Sequence, residues 1–595
     1  MKAILKIFAV ILLPAIAAAS DQTNRLYQPG GMWMPHQIAE LHGETLKKMG
    51  LQLDPAVFAD PLQFPLNAIV SLGGCSASFI SADGLIITNY HCVRGALQYN
   101  STENANLLKT GYLAHDRSQE LFAGPTARVY VVTAIDDVTE RMLNGAADLA
   151  DGLERYKELE KREKQIVEAA EKSKPNTRCE VARFYGGGKF YLITKLEIKD
   201  VRLVYAPHNG VGEFGGEIDN WMWPRHDADF SLLRAYVGPD GKPAEYSKDN
   251  VPYKPKSFLK IADESFKPGD LAFVVGYPAV TERLTTAKEV VEEIEWRLPR
   301  TIRFYQQHID VLNAVAKDDP DLKIKAAYTL AGLENYKKKY IGTLEGAQNE
   351  KLVQKKKDEE AALTLWIQSS LQNKQEYGNI IEKINGLIGE SQKSRETNQT
   401  LKFLAYRRTA QLLNAAIDIV HMAEERPKPD LERDPDYQER NWKRLEQAQE
   451  RLQKNYSRAI EQAIFELDLK DCFSLEEELR PQVVEDFLAS ADVSDETIHQ
   501  KAEELFSGTK LGNLDERLNL LRSASIKDMQ NSEDKLIQFA LKLSPCLEKI
   551  KDKEKRLSGD MILARPIYYK ALEAFHQGVL ASDANGTIRI SYGTV

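Results

Sequence analysis

The sequence has 595 residues, with 79 Lys and Arg against 88 Asp and Glu and a formal net charge of −9. That length exceeds what one hydrophobic core accommodates and predicts two to four domains. An acid excess without a basic stripe excludes nucleic acid and anionic membrane surfaces as partners.

The N-terminus predicts a compartment. Met1, Lys2 and Lys6 form a short basic start, Ile7 to Ile16 is apolar apart from Pro14, and Ala17-Ala18-Ala19-Ser20 offers a small-residue cleavage site. This is the pattern of a signal peptide over 1–19, and its apolar run is shorter than the ~20 residues of a membrane span. No later stretch is apolar enough to span a bilayer, so the expected product is soluble and periplasmic or secreted. An exported chain can pair cysteines. Of Cys75, Cys92, Cys179, Cys472 and Cys546, only the first two lie close enough in sequence to suggest a bridge. No CxxC occurs, and His208 and His226 lack HExxH-type spacing, so no metal site and no cofactor are expected.

From 20 to 280 the chain reads as β-rich. Strands are expected at Ala68–Leu72, Ala77–Ile80, Leu85–Thr88, Ala127–Ala134, Phe230–Val237 and Leu271–Val275. Phe190–Ile198 and Val201–Tyr205, joined by Lys199-Asp200, read as a hairpin, with Gly186-Gly187-Gly188 as the turn before it. Leu149 to Ser173 is a charged, helix-forming excursion. From 281 to 574 the pattern becomes helical. Ile302, Tyr305, Ile309, Leu312 and Val315 recur at spacings of three and four, and breaks are expected at Pro299, Pro320, Pro427, Pro429, Pro481 and Pro545. Residues 575–595 return to alternation. A β–α–β order implies a helical domain inserted into a discontinuous β domain.

Two constellations carry chemistry. Gly73 to Cys92 reads as strand, Ala82-Asp83-Gly84 turn, strand, then His91-Cys92. A Cys75–Cys92 disulfide would staple that hairpin and hold His91 as a general base; the plainer alternative is a structural histidine beside a structural bridge. Trypsin-like proteases use the same Thr-x-x-His-Cys arrangement, here Thr88 to Cys92. The second constellation, Phe214 to Ser231, offers Asp219, Asp227 and Asp229 as the carboxylate that orients the imidazole. Chemistry alone leaves all three open, since Asp219 and Asp227 can equally cap a turn or pair with Arg225.

These two segments, with Gly31-Met32-Trp33-Met34 and Gly332 to Lys337, closely resemble the bacterial dipeptidyl peptidase 7 and 11 family. The resemblance implies an α+β multidomain fold: a trypsin-like double β-barrel with a large inserted all-α domain. It implies serine-type release of dipeptides from the free N-terminus of peptides, without cofactor, by a homodimer. Residue by residue, His91 resembles the general base and Asp229 the orienting acid. Asn220, Trp221 and Asn335 resemble the residues that hold the substrate's N-terminus; for Asn335 the residues alone favour a helix-surface asparagine.

The sequence contains no Gly-x-Ser-Gly turn for the nucleophile and oxyanion hole. Ser507-Gly508 and Ser558-Gly559 lie in helical surroundings. The expectation is therefore a C-terminally truncated member, with the second barrel largely missing and the chain alone inactive. The rival expectation is a non-catalytic periplasmic peptide-binding pseudoprotease.

Overall fold

A computed structural model describes residues 32–102, 104–174, 176–489 and 493–595. The signal peptide expected over 1–19 lies outside the described residues. Eleven strands form one antiparallel sheet: β1 (Ile69–Ser71), β2 (Ser76–Phe79), β3 (Leu85–Thr88), β4 (Tyr112–Leu113), β5 (Leu121–Phe122), β6 (Val129–Asp137), β7 (Thr177–Phe184), β8 (Lys189–Ile198), β9 (Asp200–Ala206), β10 (Ser231–Val237) and β11 (Val251–Pro252). Their order is β4-β9-β10-β3-β2-β1-β6-β8-β7, with β11 on β10 and β5 on β9. Alternation is what permits one buried face. In β2 and β3 it buries Ala77, Phe79 and Ile86, which meet Leu97, Val129, Leu203 and Leu233 in the sheet's main core.

Two further strands, β12 (Leu271–Gly276) and β13 (Arg589–Thr594), pair antiparallel as a separate ribbon. Ile590 also bridges Trp33, just before helix α1 (Pro35–Lys48), and this corner has its own core of Trp33, Ile38, Leu46, Phe58 and Ile590. The chain between the two ribbon strands is almost wholly helical. The sheet part contributes α2 (Tyr90–Tyr99) and α3 (Gly152–Ser173). The helical part includes α4 (Leu298–Val315), α5 (Pro320–Asn349), α6 (Gln411–Glu425), α7 (Glu439–Asn455) and the 42-residue α8 (Lys535–His576). On α4 the three-and-four spacing buries Tyr305, Ile309 and Leu312, and α6 is buried almost throughout, from Leu412 to Ala423. Among the described residues no helix is long and apolar enough to cross a membrane.

Three expectations are corrected. First, β8 and β9 are not a hairpin. Both edges of β8 are occupied, by β6 and β7, so β9 has no edge to join and pairs with β10 instead. The Tyr185–Gly187 turn, with Gly186 at φ +64°, closes the true hairpin, β7–β8. Asp200 sits fully buried at the start of β9, held by Arg202 at 2.7 and 3.0 Å and by Asn250 at 2.9 Å. Second, Pro545 does not break a helix; α8 runs through both Pro545 and Pro566. A proline inside a helix forfeits one backbone bond. Here Phe539, Ala540, Leu543 and Ile550 are buried on either side of Pro545 in the main helical core, and that packing holds the helix together. Third, His91, read as following the second strand directly, is the second residue of α2 and lies three residues past Thr88 at the end of β3.

Candidate active site

The sheet register builds the site. β3 and β10 are antiparallel with Ser231 opposite Thr88. Continuing that register past both strands sets Asp229 opposite Tyr90, one residue from His91. The side chains complete the approach: His91 Nδ1 lies 2.9 Å from Asp229 Oδ2 and 3.2 Å from Oδ1, and the His91 backbone N–H donates to Oδ1 at 3.1 Å. Asp227, by contrast, pairs with Arg225 at 2.8 Å, and Asp219 ends a short turn of helix. Of the three aspartates, Asp229 is the one against His91.

Asn89 adds a residue that sequence reasoning missed. It occupies the N-cap position of α2, yet its side chain makes no capping bond. Its Nδ2 donates instead to Asp229, to the backbone O and to Oδ2, both at 3.1 Å. An asparagine just before a helix is normally spent on the helix's own N–H groups; only the strand pairing reveals the other use. The electrostatics follow. Burial pushes the Asp229 carboxyl up, but the His91 ring, the His91 backbone N–H and the charge of Arg225 outweigh it and hold the carboxyl below its ordinary value. An ionised carboxylate only accepts, so the proton between them sits on Nδ1, and Nε2 is left to exchange a proton with a reactant. The Asp229 side chain is 17% exposed and that of His91 57%, so the imidazole stands open to solvent in front of a largely buried carboxylate.

The neighbouring Cys75 and Cys92 are joined in a disulfide. Cys75 precedes β2 and Cys92 follows His91, so the bridge ties the start of α2 across β3 to the next strand. Cys75, His91 and Cys92 also have metal-like spacing, but bridged sulfurs are not thiolates and do not ligate as such.

Asn220, Trp221 and Asn335 come together from two parts of the chain. Asn335 lies on α5; its Oδ1 accepts from Asn220 Nδ2 at 2.9 Å and from Trp221 Nε1 at 3.0 Å. Asn220 Nδ2 also donates to Glu217 Oε2 at 2.9 Å, and Lys338 of α5 donates to the Glu217 carbonyl at 2.6 Å. Arg94, on α2 one turn after His91, pairs with Glu213. Beside it lies a cavity of about 330 Å³ lined by Tyr90, Glu217 and Glu334 among others. Burial and the charge of Glu217 push the Glu334 carboxyl up. Glu217 and Glu334 were also missed; two acids 117 positions apart in sequence give no local signal of being neighbours. Phe214, Ile218, Met222 and Trp223 are exposed around this cluster, Trp223 almost wholly at 92%.

The site thus joins a histidine polarised by a carboxylate to a cluster of amide and acid oxygens on the 214–228 segment and α5. The family model for Peptidase S46 matches residues 29–595, and the chain belongs to that family. It is 35% identical over 568 residues to the Asp/Glu-specific dipeptidyl-peptidase of Shewanella putrefaciens, covering 95% of this chain and 76% of that protein. It is 35% identical over 378 residues to Dipeptidyl-peptidase 7 of Capnocytophaga gingivalis, covering 63% of this chain and 51% of that one. A crystal structure of Porphyromonas endodontalis DPP11 in complex with the dipeptide Arg-Glu superposes with a TM-score of 0.78 at 27% identity, over 95% of this chain and 80% of that one. Members of the family are thus named as dipeptidyl-peptidases, and the mixed helical and antiparallel architecture is shared with one of them.

Proposed function

We propose that this chain provides the general base and the substrate clamp of a serine-type dipeptidyl aminopeptidase acting on peptides with a free N-terminus. The observation that carries this reading is the His91–Asp229 pair with the Asn220–Trp221–Asn335 cluster nearby. In the reaction, a serine Oγ attacks the carbonyl carbon after the second substrate residue while His91 Nε2 takes its proton. His91 then returns that proton to the departing amine nitrogen, leaving a dipeptidyl ester that water cleaves by the same relay. Asp229 keeps the proton on Nδ1, so that Nε2 accepts, and stabilises the imidazolium. No Gly-x-Ser-Gly turn occurs in these 595 residues, and this reading places the serine outside them.

The clamp reading rests on acceptor chemistry. An α-ammonium has three donors and needs oxygens, and Glu217 Oε2 and Asn335 Oδ1 supply them. Asn335 Oδ1 already accepts from both Asn220 and Trp221, so an arriving amine displaces one of them there, whereas the Glu217 carboxylate keeps lone pairs free beside the bond from Asn220. We also propose a division into a peptidase part over 20–280 and 575–595, with residues 281–574 as an inserted helical domain. In it the eleven-stranded sheet forms the first barrel and the β12–β13 ribbon begins the second. Export after signal cleavage fits the Cys75–Cys92 bridge, since disulfides persist in oxidising compartments.

The test uses the purified chain. A tripeptide titrated against Trp221 fluorescence binds, and its N-acetylated form binds at least about tenfold more weakly, as expected for losing a charge-assisted contact; equal affinity removes the clamp. Turnover of a dipeptidyl-coumarin substrate that is blocked by a serine-directed phosphonate would overturn the placement of the nucleophile.

A further inference from the structure

One end of the sheet is a rim whose sequence of residues is set by strand order. Starting from Asp229 before β10, it passes His91 after β3, Cys75 before β2, Gly73 and Gly74 after β1, Tyr130 in β6 and Glu197 in β8, and reaches Arg178 in β7. Asp229 and the amine cluster lie on one side of His91, and everything from Cys75 onward lies on the other. A peptide held by its N-terminus on the first side and cut beside His91 therefore sends its leaving segment along the second.

That side opens into a cavity of about 740 Å³. Gly73 and Gly74 stand at its near end, and Arg178, Arg440 and Arg444 line its far part, the last two from the first turns of α7. Arg444 pairs with Glu197 and bonds Tyr130, and Arg440 pairs with Glu171 at 2.8 Å. Arg178 is in no ion pair among the described residues; it donates to the Arg440 carbonyl at 3.1 Å and to the Asn441 side-chain oxygen, both neutral. Burial first, and then the charges of Arg440 and Arg444, pull the Arg178 guanidinium down to about 10 against the opposing charges of Glu197 and Glu171, and the cavity wall also carries Glu160, Glu163, Glu180 and Asp436. Arg440 Nε is buried with no hydrogen-bond partner.

We propose that this cavity is the channel for the leaving peptide and that Arg178, with Arg440 and Arg444 beside it, binds a carboxylate carried by that peptide. The reach follows from the sheet. Strands are ~4.8 Å apart and an extended chain advances ~3.3 Å per residue, so the three to five strand steps from β3 to β6 and β7 correspond to roughly four to seven residues past the cleaved bond. The carboxylate is either the C-terminus of a short oligopeptide or an acidic side chain at that distance. The inference deepens the proposed function and depends on its direction of substrate binding.

The experiment measures equilibrium binding by calorimetry with the purified chain. The probes are Ala/Gly peptides of five to nine residues: with a free C-terminus, C-amidated, amidated with one Glu at positions five to eight, and N-acetylated. Amidation is expected to weaken binding at least about tenfold at one or two lengths, or the internal Glu to strengthen an amidated peptide by as much. Which of the two occurs identifies the source of the carboxylate. Arg178→Gln should erase that difference, and Arg178→Lys should restore part of it, with melting temperatures checking that both variants fold. Carboxylate-independent binding at every length, or an unchanged carboxylate effect in Arg178→Gln, overturns the proposal. Sensitivity to N-acetylation alone leaves the clamp standing and removes the channel; sensitivity to the carboxylate alone leaves a carboxylate site at Arg178 but removes the clamp and, with it, the channel's role for the leaving peptide.

Discussion

Removing the Cys75–Cys92 bridge by a double Cys→Ser change should loosen the corner that carries His91 far more than the rest of the sheet. The bridge closes a loop with a sequence separation of 17, and in the chain-entropy account such a loop is worth about 3 kcal/mol. Little else closes it at that end. The paired residues of β2 and β3 are Ser78 with Ile87 and Phe79 with Ile86, two residues or more inside the bridge, supplemented by Thr88 Oγ1 donating to the Ser76 carbonyl at 3.0 Å. An opening free energy lowered by about 3 kcal/mol speeds amide exchange roughly a hundredfold in the segments that open with it. Hydrogen-exchange mass spectrometry on peptides covering 86–99 and, as a reference, the β7–β8 hairpin gives the measurement. The expected outcome is about a hundredfold faster exchange in the first and little change in the second. Less than about fivefold in the first would refute the idea that the bridge, rather than the β3–β10 pairing, holds His91 in place.

Further outcomes are expected. Where a serine is present to be activated, Asp229→Asn should lower kcat by about 10³–10⁴ with KM little altered, because the ring loses its orienting acceptor; an equal loss in KM would reassign Asp229 to substrate binding. Because the Asp229 carboxyl is held below its ordinary value, its stabilising contribution is present above about pH 4 and is lost as pH falls through the lower folded value. Melting temperatures from pH 6 to 2.5 should therefore fall less steeply in Asp229→Asn. Glu461 behaves oppositely: full burial pushes its carboxyl up to about 8, against backbone N–H groups of Leu412 and Gln411 and the charge of Arg517. The folded state then holds a proton the unfolded state has lost, so stability declines as pH rises from about 4.5 to 8, and Glu461→Gln should flatten that decline by a few kcal/mol in denaturant titrations. Gly559→Ala would place a Cβ 1.9 Å from the Gly152 carbonyl where α3 crosses α8; a loss of about 3 kcal/mol is expected, measured by the same titrations, whereas a neutral change would mean the crossing is not tight.

The parts of the fold that local pattern controls were legible. The alternation in Leu85–Thr88 and the three-and-four spacing on α4 each reflect one buried face, and both elements occur as expected. The β8–β9 relation was not legible, because two adjacent strand-like runs do not reveal that β8 already has two neighbours. Pro545 misled for a related reason: proline speaks for its own backbone bond, whereas α8 is held by side chains buried on either side. In the site, His91 and its bridge could be read from one continuous segment. From the residues alone Asp229 could not be separated from Asp219 and Asp227; family resemblance singled it out, and the register of β10 against β3 supplies the physical reason. Asn335 came from family resemblance alone, since a single asparagine on a long polar helix carries no mark of its neighbours on the 214–228 segment. Arg178 is hidden more deeply still, because its place relative to His91 exists only in the strand order.

The β12–β13 ribbon constrains the order of events during synthesis. β12 emerges from the ribosome roughly 300 residues before its partner, which at 5–20 residues per second is a wait of about 15–60 s. Throughout that interval an unpaired strand edge, including the exposed Val274, is available to other chains. What finally delivers β13 is the helical region, whose ends are fastened side by side: Asp583 accepts from Thr281, Arg283 and Leu284, and Gly586 donates to the Pro278 carbonyl at 3.1 Å. Folding of the helices converts a closure over some 300 residues into the joining of two neighbouring segments. Until then the β12 edge is a place for a chaperone to bind.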